Sequence, residues 1–155
     1  MHKRKNKSIR KIALIIAVIV VIVGAANHAL SQLPQRSASF VTDVVDGDTL
    51  TIEGGERVRL LYIDTAERGE PCYAEAKQRL EELVDKKDVV LEKAGENRDR
   101  SGRLLRYVYV GGIMTNLVLV EEGLAKLYVF DKGPYHNTFA DAERAGMESG
   151  GCIWK

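Results

Sequence analysis

Residues 40–64 read FVTDVVDGDTLTIEGGERVRLLYID, and the fold turns on how this stretch is punctuated. Phe40 to Val45 is rich in β-branched side chains and stops at Asp46-Gly47-Asp48, a sharp turn. Leu50-Thr51-Ile52 resumes an extended run as far as Glu53-Gly54-Gly55-Glu56, whose paired glycines mark a tight hairpin. Arg57 to Ile63 is the next expected strand. It becomes strongly apolar towards its end and runs into Asp64.

Downstream the period changes. Tyr73 to Leu83 has apolar residues at 73, 76, 80 and 83, the spacing of one helical face. Val89-Val90-Leu91 reads as a short strand, and Leu104 to Val110 as another, closed by Gly111-Gly112. Met114 to Leu124 is an expected helix with Gly123 at its end. Leu127 to Phe130 is a last short strand, and Asn137 to Ser149 a last helix capped by Asn137 or Thr138. Closely spaced strands interrupted and followed by helices predict an α+β domain, a small closed barrel with helices packed outside. No repeat or low-complexity tract is present.

Upstream, residues 1–11 carry six Lys/Arg and no acid, and Ile12 to Ala26 has no polar side chain. This pattern fits an export signal with a small-residue cleavage site at Ala29-Leu30-Ser31, or an uncleaved anchor if the run extends to Leu30. Either reading keeps the basic end inside and puts the rest outside. The expected organisation is a leader at 1–31, a linker at 32–38 and a folded domain at 39–155. The whole chain has a formal charge of +1, but residues 12–155 carry 17 Lys/Arg against 22 Asp/Glu, a formal −5. The exported part therefore lacks the basic balance of a generic nucleic-acid binder. A polyanionic substrate would have to be held by a local arginine cluster and a bound cation. Cys72 and Cys152 form an even pair, read as one disulfide in an oxidising compartment or as two free thiols.

Three blocks carry chemistry: Val45-Asp46-Gly47-Asp48-Thr49, the run from Arg59 to Glu67 (RLLYIDTAE), and Asp99-Arg100-Ser101-Gly102-Arg103. Asp46, Asp48 and Asp64 are oxygen donors suited to a hard cation such as calcium. Glu67 is a spare carboxylate able to take a proton from water. Arg59 and Arg103 are planar forks that match phosphate oxygens. Arg57, Arg100 and Arg106 read as surface residues. The set can cleave a phosphodiester without a histidine, serine or cysteine nucleophile.

In this order and spacing the three blocks, with Gly111-Gly112, Glu121 to Phe130 (EEGLAKLYVF) and Ile153-Trp154, resemble the staphylococcal nuclease (thermonuclease) family over residues 39–155. The resemblance implies a five-stranded OB-type barrel and Ca²⁺-dependent hydrolysis of DNA and/or RNA, leaving 3′-phosphates. It implies Asp48, Asp64 and the Thr65 carbonyl as calcium ligands, with Asp46 in the outer shell. It further implies Arg59, Glu67 and Arg103 as the catalytic trio and Tyr128 as an aromatic near the base. Three positions depart from the family pattern. Ala66 stands where the family commonly has proline, the loop after Glu67 is short, and Ser101 replaces a larger residue. The expectation is a monomeric nuclease of low sequence specificity, extracellular or membrane-anchored. The alternative is a non-catalytic OB-type module that binds nucleic acid or protein at the membrane.

Overall fold

The computed structural model describes residues 2–31, with side chains from Leu14, and residues 34–128 and 133–155. The chain divides into two compact units, Met1–Pro34 and Gln35–Lys155. The first is a helix, α1 (His2–Ser31). Its Leu14–Ser31 window has mean hydropathy 2.3 and buries nothing within the protein. By length and composition it can cross a membrane.

The second unit is a closed five-stranded barrel with helices. Strands β1 (Gln35–Val44), β2 (Thr49–Ile52) and β3 (Arg57–Leu60) form an antiparallel meander. The β2–β3 hairpin turns through Gly54 and Gly55, both at positive φ (86° and 80°) that a side chain would resist. Next come β4 (Ile63–Thr65), α2 (Tyr73–Val84), β5 (Asp88–Arg98) and β6 (Leu104–Val110). They are followed by β7 (Ile113–Met114), α3 (Thr115–Glu121), β8 (Ala125–Leu127), α4 (His136–Glu148) and a short 3₁₀ turn at Cys152–Trp154. The main sheet runs β3-β2-β1-β5-β6-β7, and a parallel β3–β6 pairing closes it, with Val58 opposite Leu104 and Leu60 opposite Arg106.

Alternation along the strands sends Val41, Leu50, Val58, Leu60, Leu91 and Val108 inward, where they meet one stripe of each helix. On α2 that stripe is Ala76, Leu80 and Val84, spaced four apart. Leu80 is fully buried, so truncation to alanine costs about 2–5 kcal/mol. An aromatic knot of Tyr62, Tyr107 and Phe139 fills the end beneath the helices, with ring centroids 5.4–6.1 Å apart. Asn116 and Glu92 are buried here, and both are satisfied. Asn116 accepts from Val108 N–H and donates to the Leu61 and Arg106 carbonyls. Glu92 accepts from Arg36 at 2.6 and 2.8 Å and from the Tyr135 hydroxyl at 2.8 Å.

Several expected boundaries move. The run from Arg57 to Ile63 is two strands, broken where Tyr62 takes a left-handed φ of 68°. Its segment Ile63–Thr65 leaves the barrel to pair with β8. β1 starts at Gln35, inside the stretch read as linker, because Gln35 to Phe40 pair with Asp88 to Lys93 of a longer β5. The last helix begins at His136, with no side-chain cap from Asn137 or Thr138. Of the expected strand at Leu127–Phe130, Leu127 is the last residue of β8 (Ala125–Leu127) and Tyr128 lies beyond it, while Val129 and Phe130 lie outside the described residues. Cys72 and Cys152 are joined, with Cα atoms 5.7 Å apart, fastening the start of α2 to the C-terminal turn.

Candidate active site

The site forms where β1, β2, β3 and β4 reach one mouth of the barrel. Between β1 and β2, Asp46 Oδ1 accepts the Asp48 N–H at 3.1 Å, an Asx turn that holds both carboxylates on one side. A side chain at Gly47 would lie 2.8 Å from both Ala76 Cβ and Thr65 Oγ1. Only glycine lets the turn sit this close to α2 and β4.

Asp48 is the hub. It is 7% exposed, and its Oδ2 accepts from Thr65 N–H (3.2 Å), Thr65 Oγ1 (3.1 Å) and Arg59 Nη2 (3.0 Å). Its Oδ1 accepts from Thr49 Oγ1 at 3.0 Å. Burial pushes the Asp48 carboxyl up to about 6, with the Asp46 charge adding to it. Arg59 and the hydrogen bonds pull the other way.

Arg59 leaves β3 with one nitrogen fixed and one shared. Nη1 donates to the Leu60 and Ile63 carbonyls at 3.0 and 2.8 Å. The left-handed Tyr62 bends the chain back so that Ile63 can offer its carbonyl here. Nη2 lies between Asp64 Oδ1, at 2.9 Å, and Asp48 Oδ2. Asp64 is half exposed, whereas the Arg59 side chain is largely covered.

Arg103 comes from the β5–β6 turn. Asp99 Oδ1 accepts the N–H groups of Ser101 and Arg103, both at 2.9 Å, and Oδ2 accepts Arg103 Nε at 2.7 Å. Burial tends to raise the Asp99 carboxyl, but its bonds from Arg103 outweigh burial and hold it below its ordinary value. Arg103 Nη1 donates to Thr49 Oγ1 at 3.2 Å, so a polar chain runs from Asp99 through Arg103 and Thr49 to Asp48.

Glu67 follows β4 on an exposed loop. Its N–H donates to Glu70 Oε2 at 2.8 Å and its carbonyl accepts Glu70 N–H at 2.9 Å, a reciprocal turn that steadies the backbone where proline is absent. Tyr128 is half exposed and its N–H donates to the Tyr62 carbonyl at 2.8 Å. One cavity of about 990 Å³ is lined by Asp46, Asp48, Arg59, Asp64, Thr65, Glu67, Arg103 and Tyr128, all the residues singled out from sequence for the site. Arg100, read as a surface residue, is exposed and also lines it.

No cluster of three or more His, Cys, Asp or Glu side chains that could hold a metal is found among the described residues. The donor set is instead two carboxylates, Asp48 and Asp64, on either side of a cationic nitrogen, with Thr65 between strand and loop. Oxygen-only donors of this kind fit a hard divalent cation that keeps several waters. Asp99, Thr49 and Glu70 had no role assigned from sequence. Only Asp99 carried a signal, an Asp ahead of Ser-Gly in a hairpin turn.

A barrel whose mouth gathers carboxylates and arginines in a single cavity defines a phosphodiester-handling OB-type protein. The profile described as "Staphylococcal nuclease homologue" matches residues 57–155. A thermonuclease of Staphylococcus intermedius is 30% identical over 93% of this chain and 92% of its own length. The SPbeta prophage-derived endonuclease YokF of Bacillus subtilis (strain 168) is 40% identical over 71% of this chain, which spans only 41% of that protein. Endonuclease YncB of the same strain is 38% identical over 71% of this chain and 58% of its own length. The chain belongs to the staphylococcal nuclease family. It is a hydrolytic nuclease, and membership implies metal dependence and a nucleic-acid substrate.

Proposed function

We propose that the protein is an exported, Ca²⁺-dependent nuclease that hydrolyses DNA and/or RNA with little regard to sequence, acting as a monomer. The observation that carries this reading is the cavity shared by Arg59, Glu67, Arg103, Asp48 and Asp64. Asp48, Asp64 and the Thr65 carbonyl would hold the cation, with Asp46 behind them holding the turn. When bound, the cation neutralises the phosphate and the charge that builds on it during attack.

The chain's own groups do the rest. Arg59 and Arg103 grip the phosphate oxygens from two sides and stabilise the growing charge, each arginine already fixed at its other nitrogens. Glu67, on the open side, takes a proton from the attacking water as the new P–O bond forms, and the bond to the sugar oxygen breaks in line, that oxygen taking a proton from solvent. Tyr128 offers a ring to a base, a contact tolerant of base identity. The apolar α1 and the disulfide both suit a domain outside the cytoplasm, secreted or anchored by α1.

The test is plasmid degradation by the full chain in nonionic detergent, with Ca²⁺ and then with excess chelator. Cleavage should appear with Ca²⁺ and vanish with chelator. Cleavage that survives chelation removes the calcium reading. Glu67→Ala or Arg103→Ala variants as fast as the parent would remove the assigned roles.

A further inference from the structure

Beside the catalytic cavity lies a second hollow of about 450 Å³, bounded by Arg57, Arg98 and Arg103, by one carboxylate, Glu56, and by Gly55, Ser101 and Gly102. Ser101 and Arg103 line both, so the two are continuous across the Arg103 turn. Three arginines against the single carboxylate of Glu56 leave the outer hollow cationic, though the domain as a whole is acidic. The Arg57 side chain makes no hydrogen bond or ion pair among the described residues. Arg98 commits only Nη1, to Glu56 Oε2 and the Gly102 carbonyl, both at 2.7 Å. Its Nε and Nη2 have no partner among the described residues.

The backbone sets a spacing between the hollows. Arg57 and Arg59 are two apart on β3, with Val58 and Leu60 turned into the core, so both arginines leave the same face. Two residues of extended strand advance about 6.6 Å. A nucleotide contributes as many backbone bonds as two amino-acid residues, so an extended strand of nucleic acid repeats its phosphates on a similar step. The parallel register sets Arg103 beside Arg57, because Val58 faces Leu104.

We infer that the hollow at Arg57 and Arg98 is a subsite for the phosphate next to the scissile one. The substrate is then a polynucleotide strand lying across the Arg103 turn, and not a mononucleotide. Glycines at the floor, with no side chains, leave room for a backbone phosphate, and guanidinium forks match its oxygens. The inference rests on the nuclease reading above and adds what the enzyme grips beyond the bond it cuts.

The experiment uses full-length protein in nonionic detergent with Ca²⁺, in a Glu67→Gln background that suppresses cleavage. The affinity for a fluorescent single-stranded oligothymidylate is followed against salt, beside that for thymidine monophosphate. Replacing Arg57 and Arg98 by glutamine should weaken oligonucleotide binding about tenfold at low salt and flatten the salt dependence by about 0.7 in log–log slope, the share of one phosphate on a single strand. The monophosphate affinity should stay put. Equal slope and affinity in parent and variant overturn the subsite while leaving the nuclease reading intact. A parent that binds no oligonucleotide, and whose Glu67-intact form cuts none, overturns both. If the double variant melts early, Arg57→Gln alone, which breaks no side-chain hydrogen bond or ion pair among the described residues, must still flatten the slope, and failure to do so overturns the subsite.

Discussion

At the scale of single residues, Asp48 couples charge to stability. Burial lifts its carboxyl from the ordinary 3.8 to about 6 in the metal-free protein. A raised value means that the fold binds the proton more tightly than the unfolded chain does. The stabilisation is therefore fully present below about pH 4 and is lost as pH rises through 6, on the order of 3 kcal/mol at most. Urea midpoints in chelator should fall over that window, and Asp48→Asn should abolish the slope. An unchanged slope in that variant sinks the argument. On the proposed mechanism Asp99 acts through Arg103, as a positioning residue. Asp99→Asn should lower kcat by roughly tenfold or more, because it weakens the charged bond that aims the fork. Calcium affinity by calorimetry should hold, since Asp99 touches neither Asp48 nor Asp64. Arg59 Nη2 sits between those two carboxylates, so cation and guanidinium compete for them. Arg59→Gln should bind Ca²⁺ more tightly than the parent in the absence of nucleotide. Weaker binding in the same titration would show that Arg59 organises the pair instead.

At the scale of elements, the turn at 46–48, the Gly54-Gly55 hairpin and the helix from Tyr73 were legible because each has a local cause: an Asx bond, positive φ, a four-residue stripe. The break at Tyr62 was not. Nothing in Leu61-Tyr62-Ile63 marks a left-handed tyrosine, since its conformation is held by tertiary bonds, among them the one from Tyr128 N–H to its carbonyl. The partners of Arg103 and Arg59 were legible only as residue types, because their distances depend on how β3, β5 and β6 close. The disulfide spans 80 residues of sequence, and in the chain-entropy account it stabilises by about 4 kcal/mol. Replacing Cys72 and Cys152 by serine should lower the urea midpoint accordingly. Because Cys72 lies just beyond the Glu67–Glu70 turn, kcat measured well below the melting temperature should fall too, with calcium affinity kept. An unaltered kcat would limit the bridge to stability alone.

At the scale of the whole molecule, the proposed anchor and the barrel are separate compact units. The apolar window of α1 should carry the full chain into the pellet with lipid vesicles, while a protein lacking residues 1–31 stays in the supernatant; equal partition of the two would remove the anchor. The barrel is closed by one parallel seam, β3 against β6. Arg57 and Arg59 stand on one side of it and Arg103 on the other. A phosphate gripped from both sides acts as a clasp on a hoop. Nucleotide at a hundred times its dissociation constant adds about 2.7 kcal/mol to the folded state by mass action, and the extra hydrogen-exchange protection should concentrate at residues 58–60 and 104–106. If the phosphate is gripped as proposed, the polymer that the enzyme cuts would also hold its barrel shut, and each departing product would slacken the hoop.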